Sequence, residues 1–125
     1  MKHETWKAKP DEHDFPAAAA YLSLLATDRD VTKLIAALRK APLVQQKAKD
    51  ILRASRLAIL GPESVHVAAD LAKVKAGKSL SPVLLVRGDL RSGVALQIAD
   101  GYHRVCASYH LDENADIPCK LIDLT

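Results

Sequence analysis

The chain has 125 residues, of which 49% are hydrophobic and 26% charged, and its formal net charge is +3 at pH 7. This length and balance can bury one core, and they argue against a disordered or membrane-spanning protein. The polar start, Met1–Asp14, precedes no long apolar segment and predicts no secretory leader, so we expect a cytoplasmic location. The small charge, without a basic run, gives little indication of nucleic-acid binding.

The first 55 residues predict a helical amino-terminal extension. Three helices are expected, at Ala17–Ala26, Val31–Lys40 and Leu43–Ala54. Asp14 is placed to cap the first helix and Pro16 lies in its first turn, where the missing N–H costs nothing. The second helix has an apolar stripe at helical spacing. We expect the extension to pack on the core and to offer a surface to a protein partner.

Strands and helices alternate in the rest of the chain. In order they are predicted as strand Arg56–Leu60, helix Val65–Ala76, strand Val83–Arg87, strand Val94–Ala99, helix Tyr102–Leu111 and strand Ile117–Leu121. Turn residues join the two middle strands, which should therefore pair antiparallel. The pattern predicts an α/β (α+β) fold in one compact unit, with a three-helix extension over residues 1–55 and a small mixed sheet over residues 56–125.

The stretch with the clearest chemistry is Asp100-Gly101-Tyr102-His103-Arg104, where a strand leads directly into a helix. Gly101 allows a tight turn, and the first helical turn offers unpaired N–H groups to an anion. Arg104 adds a planar set of donors and His103 adds a donor or proton carrier near neutral pH. These residue types together indicate phosphate binding.

The order strand, Gly101-Tyr102-His103-Arg104, helix, short loop and strand resembles the ParB/sulfiredoxin superfamily, over about residues 56–124. Upstream, Asp70–Gly77 and Leu80–Val86 resemble its helix and the strand that follows a proline, and Ile117–Ile122 resembles its closing strand. Members use a Gly-x-His-Arg or Gly-x-Arg-Arg signature at this turn to hold the phosphates of ATP or CTP. The resemblance therefore implies nucleotide binding by Gly101, Tyr102, His103 and Arg104.

The form Asp100-Gly101-Tyr102-His103-Arg104 is most similar to the free-serine kinases of the superfamily, which transfer a phosphoryl group with Mg and an adenine nucleotide. This likeness implies that Asp100 holds Mg or accepts a proton, that His103 takes part in catalysis, and that Glu63 or His66 lies in the segment where these kinases carry a second, acidic catalytic residue. Tyr102 occupies the position of the reactive cysteine of sulfiredoxins, so sulfinic acid repair is not supported. A nuclease is less favoured, because no carboxylate cluster is evident.

Simpler interpretations of the same residues stay open. Gly101 to Arg104 can be an ordinary helix start, Asp100 a helix cap, and Glu63 an acidic first-turn residue. Cys106 and His110 are spaced to share a zinc ion, but Cys106 lies on the apolar face and is expected to be a buried free thiol. A non-catalytic interaction module with a vestigial or ligand-sensing site, with or without a homodimer, is the alternative to a kinase or nucleotide hydrolase.

Overall fold

The computed structural model describes residues 4–124. The helices are α1 (Asp14–Leu22), α2 (Asp28–Lys40), α3 (Ala48–Ser55), α4 (Val65–Lys75) and α5 (Tyr102–Leu111). The strands are β1 (Leu43–Lys47), β2 (Val83–Val86), β3 (Gln97–Asp100) and β4 (Asp116–Ile122). The predicted α+β class with a small mixed sheet is confirmed, and the amino-terminal part supplies three helices, with β1 between the second and the third.

The four strands form one sheet in the order β1-β4-β2-β3. β2 and β4 are parallel neighbours, whereas β1 pairs antiparallel with β4 and β3 pairs antiparallel with β2, the last as predicted. Because β3 runs opposite to β2, its end at Asp100 lies beside the start of β2 at Val83. The Gly101 turn therefore opens at the edge where β2 begins.

Side chains that alternate along β2 divide the core between the two faces of the sheet. Leu84 and Val86 pack with α1 and α2, and Val83 and Leu85 pack with α3, α4 and α5. The molecule is thus three layers deep: α1 and α2 cover one face of the sheet, whereas α3 packs on the other face with α4 and α5. The apolar stripe predicted for α2 is also confirmed, since Val31, Leu34 and Leu38 are buried.

Two predicted elements are wrong. The segment expected as a single helix from Leu43 divides into β1 and α3, and β1 pairs with β4 as an edge strand whose Val44 is 37% exposed. Arg56–Leu60 forms no strand, because no neighbouring strand pairs with it and Leu57 and Ile59 stay 43% and 45% exposed. Aliphatic residues alone do not make a strand where no partner supplies the hydrogen bonds.

The segment that precedes α1 lies against the body of the molecule. Trp6 forms an isolated parallel bridge with Leu80 and packs against the core, and Glu4 accepts a hydrogen bond of 2.6 Å from Ser108 Oγ. These contacts hold the start of α1 beside the beginning of β2. Among residues 4–124, no helix combines the length and apolar character that crossing a membrane requires.

Candidate functional site

The Gly101 turn is a strand-to-helix junction that requires glycine. Its φ is +110°, a left-handed conformation that other residues rarely adopt. A Cβ added to Gly101 would lie 2.9 Å from Arg104 Nη2 and 2.9 Å from Val83 Cγ2, closer than packed atoms approach. The predicted turn glycine is confirmed, and its second role is to let Arg104 fold back over the turn.

The first turn of α5 has no side-chain cap. The backbone ladder begins with Val105 N–H, which donates to the Gly101 carbonyl at 3.0 Å, so the amides of Tyr102, His103 and Arg104 have no acceptor within the helix. At α2, by contrast, the Thr27 side chain accepts from the Asp30 amide. The start of α5 therefore keeps the donors and the positive dipole end that suit an anion.

Arg104 turns its guanidinium toward protein groups. Its Nη2 donates to Asp100 Oδ2 at 3.0 Å and lies 3.8 Å from Asp14 Oδ2 and 3.4 Å from the Pro82 carbonyl. Only 16% of the Arg104 side chain is exposed. The sequence predicted Arg104 as a phosphate ligand, and the structure places its charge between two carboxylates.

Asp14 is the residue at this site whose predicted role is wrong. It was expected to cap α1, but it is the first residue of that helix and is 2% exposed, and it accepts a hydrogen bond from the Ser81 hydroxyl. Burial raises the pKa of Asp100, Arg104 opposes that rise, and Asp14 adds to it. We refer to Asp14, Ser81, Asp100 and Arg104 as the aspartate–arginine cluster.

Two histidines lie on the solvent side of the α5 start. The ring of His103 is 4.7 Å from that of His66 on α4, between centroids, and 5.5 Å from that of Tyr102. Burial lowers the pKa of His103 and His66 lowers it further, against the opposing charge of Asp70, and this shift favours the neutral imidazole. A neutral imidazole at a helix start can donate one hydrogen bond and accept another.

Asp70, one turn after His66 on α4, is a second buried carboxylate near this site. It is 8% exposed, its Oδ1 lies 3.9 Å from Lys73 Nζ, and burial raises its pKa against the opposing charges of Lys73 and Arg104. In the sequence, Asp70 fits the pattern of an ordinary polar residue of an amphipathic helix. Only the packing of α4 on α5 brings it near the predicted site.

The side chain of Tyr102 binds the segment that follows α3. Its hydroxyl donates to the Ala58 carbonyl at 2.5 Å, which holds the irregular segment after α3. A phosphate at the α5 start would thus accept a hydrogen bond from the backbone N–H of Tyr102. Glu63 lies in the turn before α4, where its carboxylate folds over Gly61, and no contact joins it to the cluster among the described residues.

A metal-ligand arrangement lies at the start of α1. Among residues 4–124, Asp11, His13 and Asp14 are the one group of three whose ligand atoms all lie within 4.8 Å of one another. Lys7 Nζ donates to both Asp11 oxygens, at 2.8 and 3.0 Å, and lowers the pKa of Asp11. The predicted metal ligand Asp100 contacts Arg104 instead, and the group that could hold a metal ion lies at the start of α1.

The zinc alternative receives no support from the described residues. Cys106 is fully buried, and burial raises the pKa of its thiol, while His110 Nε2 lies 2.7 Å from the Leu60 carbonyl. Cys106 is free and buried, as predicted, and so is Cys119. Comparison with known proteins found no family model, no curated protein and no solved structure that matches the chain.

Proposed function

We propose that the chain binds the phosphate groups of a nucleoside triphosphate at the first turn of α5. The observation that carries the proposal is the uncapped helix start, where the amides of Tyr102, His103 and Arg104 have no acceptor within the helix and the His103 ring lies 4.7 Å from that of His66. An anion there gains several backbone donors and the helix dipole, with His103 as a side-chain donor. The resemblance to ParB/sulfiredoxin proteins, which hold ATP or CTP at this turn, is the second support.

Magnesium fits this proposal through Asp11 and Asp14. Carboxylate oxygens are the protein ligands that Mg prefers, and it commonly fills its remaining positions with water and substrate phosphates. His13 is a less usual ligand for Mg, and Lys7 competes for Asp11. When bound, the ion would neutralise phosphate charge. Ser81 and Arg104 hold the Asp14 carboxylate in place, and Lys7 holds that of Asp11.

Phosphoryl transfer or nucleotide hydrolysis is the reaction that the cluster suits. Burial raises the pKa of Asp100, which makes this carboxylate a better proton acceptor than an exposed aspartate. Arg104, four residues after Asp100, holds the Asp100 carboxylate at the turn. The proton-accepting carboxylate is thereby positioned next to the backbone N–H groups that bind the phosphate. In this proposal Asp100 and His103 act on the reactants and Arg104 is a positioning residue.

Calorimetric titration with Mg-ATP and Mg-CTP tests the binding. His103→Ala should weaken the preferred nucleotide by about tenfold, as expected for losing a hydrogen bond to a charged group. His110→Ala is the matched control, because it removes a histidine from the far end of the same helix and should leave the affinity unchanged. Equal affinities for the wild type and both variants would overturn the assignment of His103.

A non-catalytic interaction module is the second candidate, and one observation favours it. Leu24 and Leu25, just after α1, are 81% and 59% exposed, and an exposed apolar patch of this kind suits a protein partner or a second copy of the chain. Phosphate release separates the two functions. Turnover that Asp100→Asn abolishes supports the enzyme, whereas tight nucleotide binding without turnover supports the module.

A further inference from the structure

A second cleft lies at the opposite end of the sheet from the Gly101 turn. It has a volume of about 540 Å³ and lies where the parallel strands β2 and β4 both end, beside α3 and the loop that joins β2 to β3. In α/β sheets this edge is a common place for ligands, and the volume is in the range of small-molecule sites. The cleft shares no lining residue with the aspartate–arginine cluster.

The floor of the cleft is apolar. Ile51 and Leu85 are 2% and 1% exposed, and Leu96 and Leu121 are half-buried beside them. Leu90, on the loop at the mouth, is 99% exposed and has no apolar cover. An apolar ligand in the cleft would bury this leucine and remove further apolar surface from water.

Three arginines surround that floor. Arg53, Arg56 and Arg87 line the cleft together with two carboxylates, Asp50 and Asp89. The side chains of Arg53 and Arg87 are 86% and 61% exposed, and each has one acidic neighbour, at 3.4 and 2.7 Å. Such exposed pairs are weak and can exchange for a ligand anion.

Arg56 is the most unusual of the three. Among residues 4–124 it is the one residue other than glycine with a positive φ, +60°, at the end of α3, where glycine is the common residue. Its Nη1 donates to the Gly93 carbonyl at 2.9 Å, which places the guanidinium across the mouth next to the loop. A glycine would relieve the backbone there but would remove this charge.

We propose that this cleft binds a small organic anion that joins a flat apolar body to a carboxylate or phosphate group. The body lies on Ile51, Leu85 and Leu96, and the anionic group lies between Arg56 and Arg87. This site is independent of nucleotide binding at α5, because the two lie at opposite ends of β2.

Amide NMR of the full chain with 2-naphthoate as the probe tests the site. We expect saturable shifts at Ala54, Leu85 and Leu96. The neutral analogue 2-naphthalenemethanol should bind about tenfold more weakly, since it lacks the charge that the arginines contact. 2-Naphthyl phosphate distinguishes the two anions, and binding of either supports the site. Shifts elsewhere, none with either anion, or equal binding of the neutral analogue would overturn it.

Arginine substitutions test the role of the positive charge in ligand binding separately from its effect on folding. Arg56→Gly should lower the naphthoate affinity by about tenfold, while its melting temperature stays close to that of the wild type because glycine accepts the left-handed backbone. Arg87→Gln should also lower the affinity, and Arg29→Gln, an exposed arginine on α2 away from the cleft, is the matched control. Unchanged affinity in folded Arg56→Gly and Arg87→Gln would contradict the proposal.

Discussion

The guanidinium of Arg104 donates to the carboxylate of Asp100 at 3.0 Å, across the Gly101 turn that separates them in the chain. The same guanidinium lies 3.8 Å from Asp14, whose side chain is 3% exposed. One cation therefore lies between two carboxylates where α1, β3 and α5 meet. This pairing makes the site part of the fold as well as the proposed place of chemistry.

Removal of the Arg104 charge should destabilise the protein strongly. Arg104→Met leaves Asp14 and Asp100 without their cation, and breaking such a buried pair costs about 3 kcal/mol. The loss in free energy of unfolding should be largest at pH 7 and should shrink as the pH falls, because protonation removes the unpaired charge. Urea unfolding measures it, with Arg29→Met as the exposed control. Similar stabilities of the two variants would contradict this role of Arg104.

Gly101→Ala should cost more stability than Gly77→Ala. Both glycines have positive φ, +110° and +77°, so both variants incur backbone strain of about 1 kcal/mol or more. A Cβ at Gly77 meets nothing within 4 Å, whereas one at Gly101 collides with Arg104 and Val83. Urea unfolding of both variants compares them. An equal loss in both would mean that the crowding at Gly101 relaxes without cost.

The Gly101 turn could be predicted because its signals are local. A strand, a glycine and a helix with an apolar face follow one another, and the structure confirms them as β3, Gly101 and α5. The partners of that turn are distant in sequence. Asp14 contacts Ser81, 67 residues further along the chain, and a pattern that also fits a helix cap does not reveal such a contact.

The error at Leu43–Lys47 has a similar cause. Val44 and the apolar residues of α3 follow a helical spacing, so the segment resembles the start of that helix. Its strand conformation comes from hydrogen bonds to β4, where Val44 lies opposite Cys119. Tertiary pairing thus overrides the local pattern, as it commonly does at an edge strand.

Asp70→Asn should raise stability at neutral pH. Burial raises the pKa of Asp70 above its unfolded value, so the folded state disfavours the ionised carboxylate. This penalty grows as the pH rises through the unfolded pKa of about 3.9 and is complete above the folded one. Urea unfolding should therefore show a gain for Asp70→Asn at pH 7 that shrinks toward pH 4, with Glu113→Gln as an exposed control. A loss at pH 7 would mean that attraction to Lys73 and Arg104 outweighs burial.

Mg should strengthen nucleotide binding through the start of α1. We expect the wild type to bind Mg-nucleotide about tenfold more tightly than the metal-free form, and Asp11→Asn to lose most of that gain, because it removes one anionic ligand. Glu12→Gln is the matched control, since Glu12 lies beside Asp11 but pairs with Arg39 at 2.6 Å. Calorimetry with and without Mg measures the nucleotide affinity of each protein in both conditions. The same Mg dependence in all three proteins would exclude Asp11 as a ligand.

The amide signals of Tyr102, His103 and Arg104 test the central claim most directly. Nitrogen-15 NMR of the full chain, titrated with Mg-ATP and Mg-CTP, follows the donors that the proposal assigns to phosphate. The account predicts saturable shifts at these three amides with at least one nucleotide, and none at Leu85 or Leu96 in the second cleft. Saturating nucleotide that leaves the three amides unmoved would contradict it.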